Sequence, residues 1–131
     1  MTAWLEEATR FLNLARDDLD AFRVLAADPR IRPRIALFHA QQAAEKSLKA
    51  MLFAKRVEFR RTHDLLELTE SLRRAGVVLD VRLEKLVRLT PYAVQSRYDT
   101  NDADPMPVGE AEEIAAALLD LAVAEVAKAG T

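Results

Sequence analysis

Apolar residues recur every third or fourth position through most of the chain, the repeat of helices with one buried face. Trp4, Leu5, Ala8, Phe11, Leu12, Ala15, Leu19, Phe22 and Ala26 predict a first helix from about Thr2 to Ala27. Asp28-Pro29 ends it, because a residue before proline is pushed out of the helical region. Pro33 suits a first turn and opens a second helix that runs to about Lys55. Arg56 to Arg61 reads as a loop. Thr62 is the expected N-cap of a third helix, with Asp64 in its first turn, Leu65, Leu66, Leu68 and Leu72 along it, and Gly76 as its stop. Asp80 is the expected cap of a shorter fourth helix carrying Val81, Leu83, Leu86, Val87 and Leu89. Pro91 kinks or restarts it after Thr90, and Tyr92 to Tyr98 should be helical for about two turns. Asp99 to Val108, with two prolines and four Asp or Asn residues, reads as a loop. A last helix from about Gly109 to Lys128 buries Ile114, Ala117, Leu118, Leu121, Ala122 and Val126. Neither a strand pattern nor an internal repeat occurs. The fold class that follows is all-α: an antiparallel bundle of about five helices, two long ones forming its spine, with residues 1–131 as one domain.

The second helix departs from a clean split between apolar and charged faces. His39, Gln42, Glu45, Lys46 and Lys49 recur at steps of three and four and define a polar stripe. Phe38, Leu48, Met51, Leu52 and Phe53 anchor the core beside it. A helix with that many anchors belongs in the centre of a bundle, where a stripe of imidazole, amide, carboxylate and ammonium groups asks for an explanation. Glu45 and Lys49 are spaced as an ordinary intrahelical ion pair, which leaves His39, Gln42 and Lys46 unaccounted for.

Composition narrows the chemistry. Half of the residues are apolar and 31% charged, as in ordinary globular proteins. The absence of cysteine excludes disulfides, thiolate zinc sites and a cysteine nucleophile. No apolar run is long enough to span a bilayer, and the acidic start MTAWLEEATR lacks the basic region of a signal peptide, so a cytoplasmic protein without membrane contact is expected. A net charge of −2 gives no bulk attraction to nucleic acid. Basic residues nevertheless cluster at Arg30, Arg32 and Arg34 and at Arg56, Arg60 and Arg61, while acidic ones gather at Asp17 to Asp20 and Asp99 to Glu113. Solvated loop and helix-end charges are the plainest account of these groups.

Most familiar motifs are missing. Asp99 to Asp104 resembles a calcium loop only superficially, since it lacks the central glycine. His39 and His63 could form a metal site only if the fold brought them together, so structural or surface roles are the simpler account and no metal site is expected. Neither a glycine-rich phosphate loop nor a Gly-x-Ser-x-Gly turn occurs, and no cofactor is implied.

Three blocks, FHAQQAAEKSLKAMLFAKRVEF (38–59), RTHDLLEL (61–68) and LTPYAVQSRY (89–98), resemble the HEPN domain family in content, order and separation. The resemblance, which extends over nearly the whole chain, implies a helical bundle that pairs as a homodimer. It also implies a minimal nucleotidyltransferase as partner, in a two-protein module of toxin–antitoxin type. Some family members cut RNA without a metal, using an arginine and a histidine closely spaced near the start of a late helix. Here the matching arginine is Arg97, followed by Tyr98 and Asp99, and no histidine follows it. The spacing recurs as Arg34 to His39 and as Arg56 to His63, in the wrong elements, and arginine is frequent enough to explain both.

Three functions compete. The reading adopted is a non-catalytic module that binds a nucleotide or RNA beside its nucleotidyltransferase. His39, Gln42, Glu45, Lys46 and Lys49 would line the cleft, with Tyr92, Arg97 and Tyr98 opposite. Tyr98, beside Arg97, is the better candidate to receive a nucleotidyl group, although a half-buried tyrosine with a satisfied hydroxyl is the simpler account of either ring. The alternative is a metal-independent endoribonuclease toxin in which Arg97 holds phosphate and His63 or His39 moves protons. The third is a structural dimerisation module whose stripe fixes register. For His63 alone, beside a helix start, pinning by packing and local hydrogen bonds is the expected role.

Overall fold

The computed structural model describes residues 2–94 and 105–131. Five α-helices account for most of them: α1 (Ala3–Ala27), α2 (Pro33–Ala54), α3 (Leu65–Arg74), α4 (Leu83–Leu89) and α5 (Val108–Ala129). A 3-10 turn, Thr90–Ala93, follows α4, and no strand occurs among the described residues.

Every helix buries a face at helical spacing. In α1 it is Ala8, Leu12, Ala15, Leu19 and Phe22. In α2 it is broader and includes Leu37, Leu48, Met51 and Leu52 together with Ala40, Ala43, Ala44 and Ala50, all fully buried. Those alanines let neighbours approach closely, and α1, α3, α4, α5 and the 3-10 turn all pack on α2. Asp18 of α1 meets both His39 and Lys46 of α2, spacings nearly symmetrical about the short 28–32 link, as antiparallel helices require. Glu125 of α5, only 8% exposed, pairs with Lys55 at the end of α2 (3.4 Å) and with Lys128 (3.3 Å).

Several sequence expectations are corrected at element ends. Thr2 caps α1 from outside, its Oγ1 accepting from Leu5 N. The N-cap of α3 is Asp64, not Thr62: its carboxylate accepts from Leu66 N (3.0 Å), while Thr62 Oγ1 accepts from Asp64 N (3.1 Å). Two capping residues were available two positions apart, and the register of Leu65 against the core selects the second. Asp80 caps nothing; α4 starts later, after Arg82. Of the stretch expected to be helical from Tyr92 to Tyr98, Tyr92 and Ala93 lie in the 3-10 turn and Val94 is extended; 95–98 fall outside the described residues, as does most of the expected 99–108 loop. On α5, Ala117 is exposed, because a helix sets it about 100° round from buried Leu118. Leu66 is also partly exposed, at 37%.

Candidate functional site

The α2 stripe divides into two networks. His39 and Lys46 are seven residues apart, almost two turns, and share one flank. Gln41, Glu45 and Lys49 follow one another at steps of four along another. Gln42 lies between the two lines.

On the first flank both groups serve Asp18. His39 Nδ1 is 3.0 Å from Asp18 Oδ1, and Lys46 Nζ donates to Asp18 Oδ2 at 2.5 Å. The three side chains are mostly buried, and Phe38 packs edge-on against the His39 ring at 5.1 Å. This network cross-links α1 and α2 within one chain.

The second flank centres on Glu45, whose side chain is 4% exposed. Lys49 Nζ donates to Oε2 at 3.0 Å, while Gln41 Nε2 (3.1 Å) and His63 Nδ1 (2.8 Å) reach Oε1. Gln41 Nε2 also donates to the His63 carbonyl at 3.1 Å, and Gln42 Nε2 donates to Gln41 Oε1 at 2.7 Å. The α2–α3 loop is thereby fastened to α2 at His63. A carboxylate only accepts, so His63 Nδ1 carries the hydrogen, and in the neutral ring Nε2 is left as an acceptor. The His63 side chain is 62% exposed, and among the described residues nothing hydrogen-bonds its Nε2. A buried, charge-balanced carboxylate thus aims an imidazole outward. Such a group can bind a phosphate or a base edge, or move a proton.

Beside this network is a groove of about 450 Å³. Trp4, Phe11, Phe53 and Phe59 line it, together with Lys49 and the exposed Arg61.

The expected site residues therefore separate. Gln42, Glu45 and Lys49 come together with His63, while His39 and Lys46 join Asp18 instead. Tyr92 belongs to neither network: it is half-buried, and its hydroxyl accepts from Met106 N at 3.1 Å, tying the 3-10 turn to the approach to α5. Arg97 and Tyr98, the expected opposite wall, lie outside the described residues. His63 is pinned as expected, but by Glu45 from another helix, and its ring stays open to solvent. Asp18 and Gln41 were not anticipated. Gln41 could have been found from its four-residue step to Glu45, whereas Asp18 gives no sign beyond a run of acids. Of the basic clusters, Arg30 pairs with Asp28 and Arg60 with Glu67, so part of that charge is neutralised locally. Among the described residues no group of three potential metal ligands converges, and no helix is long and apolar enough to cross a membrane.

Comparison with known families gives one result: the model of the HEPN domain matches residues 1–126. No curated protein and no solved structure matches the chain. With a match covering almost all of its 131 residues, and an all-helical bundle beneath it, the chain belongs to the HEPN domain family.

Proposed function

We propose that this HEPN chain is a non-catalytic module that binds a nucleotide or RNA and acts with a small nucleotidyltransferase, as one half of a toxin–antitoxin-like pair. The observation that carries the reading is the outward imidazole of His63, anchored by buried Glu45, with Lys49 beside it as a cation for phosphate. The working unit is a homodimer, in keeping with the family. The test is anisotropy with a labelled single-stranded RNA, and calorimetry with AMP, on wild type and His63→Ala. Binding that weakens about tenfold in the variant supports the reading. Absence of binding by either method, with and without the nucleotidyltransferase, overturns it.

The same geometry favours a second reading, a metal-independent endoribonuclease. Carboxylate contact at Nδ1 fixes the tautomer a general base needs. Under it, RNA is cleaved in the presence of chelator, His63→Ala abolishes cleavage and Glu45→Gln slows it. Intact RNA after incubation with the wild-type chain excludes it.

A further inference from the structure

The groove brings four aromatic rings together at the edge of the core. Phe53 is common to all the ring contacts, with the centroids of Phe11 at 5.1 Å and Trp4 at 6.3 Å tilted against it and that of Phe59 at 5.2 Å edge-on. Three segments bring these rings together: α1, the end of α2 and the loop after it. All four are half-buried: Phe11, Phe53 and Phe59 back onto the core and still leave part of each ring at the surface beside Trp4. The volume, about 450 Å³, is in the range of small-ligand sites.

The charges at the rim are asymmetric. Arg61 has no ion pair or hydrogen bond to any described residue, unlike its neighbour Arg60, which holds Glu67 through two bonds. Lys49, 12% exposed, is held by Glu45, which leaves Arg61 as the exposed cation of the lining. Glu58 is the only acid among the lining residues, and an anion would settle away from it, on the Arg61 side. Aromatic walls select a flat ring, and the free guanidinium selects an anionic substituent.

We propose that this groove is a binding site for a small ligand made of a planar aromatic ring with an anionic group, the ring against Trp4, Phe53 and Phe59 and the anion on Arg61. The assignment does not depend on the function proposed above, because it uses neither His63 nor the Glu45 carboxylate. Two sources share this chemistry, an aryl carboxylate and a nucleoside monophosphate.

Trp4 is the only tryptophan, so its indole N–H gives a single, unambiguous cross-peak in a nitrogen–proton correlation spectrum. The full chain is titrated with 2-naphthoate, AMP, adenosine and inorganic phosphate. The expected result is saturable movement of the Trp4 peak with 2-naphthoate, AMP or both, and at least tenfold weaker response to adenosine and to phosphate. A preference for 2-naphthoate identifies a carboxylate source and a preference for AMP a phosphate source; either supports the site. Arg61→Ala, an exposed change, should weaken binding about tenfold, or 1.4 kcal/mol. Phe59→Leu, which keeps apolar volume but removes a ring, should weaken it several-fold. The proposal is overturned if neither aromatic anion saturates the Trp4 peak below about 1 mM. It is equally overturned if Arg61→Ala binds like wild type, or if the peak moves with protein concentration alone and ligand has no effect, since a second copy then covers the groove. RNA binding that depends on His63 alongside a silent Trp4 peak would sink this site and leave the proposed function standing.

Discussion

Glu45 shows how much a single side chain can carry in this molecule. Its carboxylate is almost wholly buried, and Lys49, Gln41 and His63 all bond to it, so its burial leaves no polar group unmatched. Replacing it with Gln leaves the Lys49 ammonium, itself 12% exposed, beside a neutral amide. Glu45→Gln should therefore cost about 3 kcal/mol, the scale of a broken buried pair, measured as a shift in urea midpoint. Glu70→Gln breaks an exposed pair with Arg73 and should leave the midpoint unmoved. Equal losses in the two variants would mean that burial does not govern these interactions. The four-residue steps linking Gln41, Glu45 and Lys49 are legible in the sequence because the helix itself makes those contacts. The bonds from Glu45 to His63 and from Asp18 to His39 and Lys46 are not, because the partners are 18 or more positions apart and only tertiary packing closes them.

Helix ends supply a sharper comparison. At the end of α3, Val77 N donates to Leu72 O (2.9 Å) and Gly76 N to Arg73 O (3.0 Å), the paired bonds of a Schellman motif. At the end of α2, Val57 N donates to Leu52 O and Arg56 N to Phe53 O, both at 3.0 Å, in the same arrangement. The left-handed position is glycine in one, Gly76 at φ 88°, and arginine in the other, Arg56 at φ 57°. Gly76 has nothing within 4 Å of where a Cβ would sit, so Gly76→Ala tests backbone conformation alone and should cost about 1 kcal/mol. Arg56→Gly should do the reverse and stabilise the chain by a few tenths to about 1 kcal/mol, because it relieves the positive φ and the Arg56 side chain makes no hydrogen bond or ion pair among the described residues. Thermal melts of the two variants should move in opposite directions; movement in the same direction would refute the shared motif. Sequence alone found the stop at Gly76, since glycine advertises it, but placed only a loop after Lys55, since arginine at such a site carries no signal. The aromatic groove escaped notice for a related reason: Trp4, Phe11 and Phe53 fit the apolar repeat and read as core. Only the path of the 56–64 loop brings Phe59 onto them and leaves the rings at the surface.

Across the whole molecule, charge is handled mainly by local pairs, and this fixes how the bundle responds to acid. Glu7, Asp28 and Glu70 are held below the ordinary carboxylate value, first by side-chain hydrogen bonds from Arg10, Arg30 and Arg73. A carboxylate lowered in the folded state contributes its stability above the unfolded value, 4.5 for Glu and 3.8 for Asp, and loses it as pH falls through the folded value. All three are surface groups, so each contribution is small and screened by salt. Protonating the acids also leaves 19 Lys and Arg residues facing one another without counter-charge. The thermal midpoint should thus stay level from neutral pH to about 5 and then fall, less steeply in about 1 M salt. Arg73→Gln removes the group that lowers Glu70, so it should lower the neutral plateau slightly and shallow the acid limb by the same small amount. A midpoint that rises on acidification would reverse the sign of this account, and an unchanged acid limb in Arg73→Gln would take Glu70 out of it.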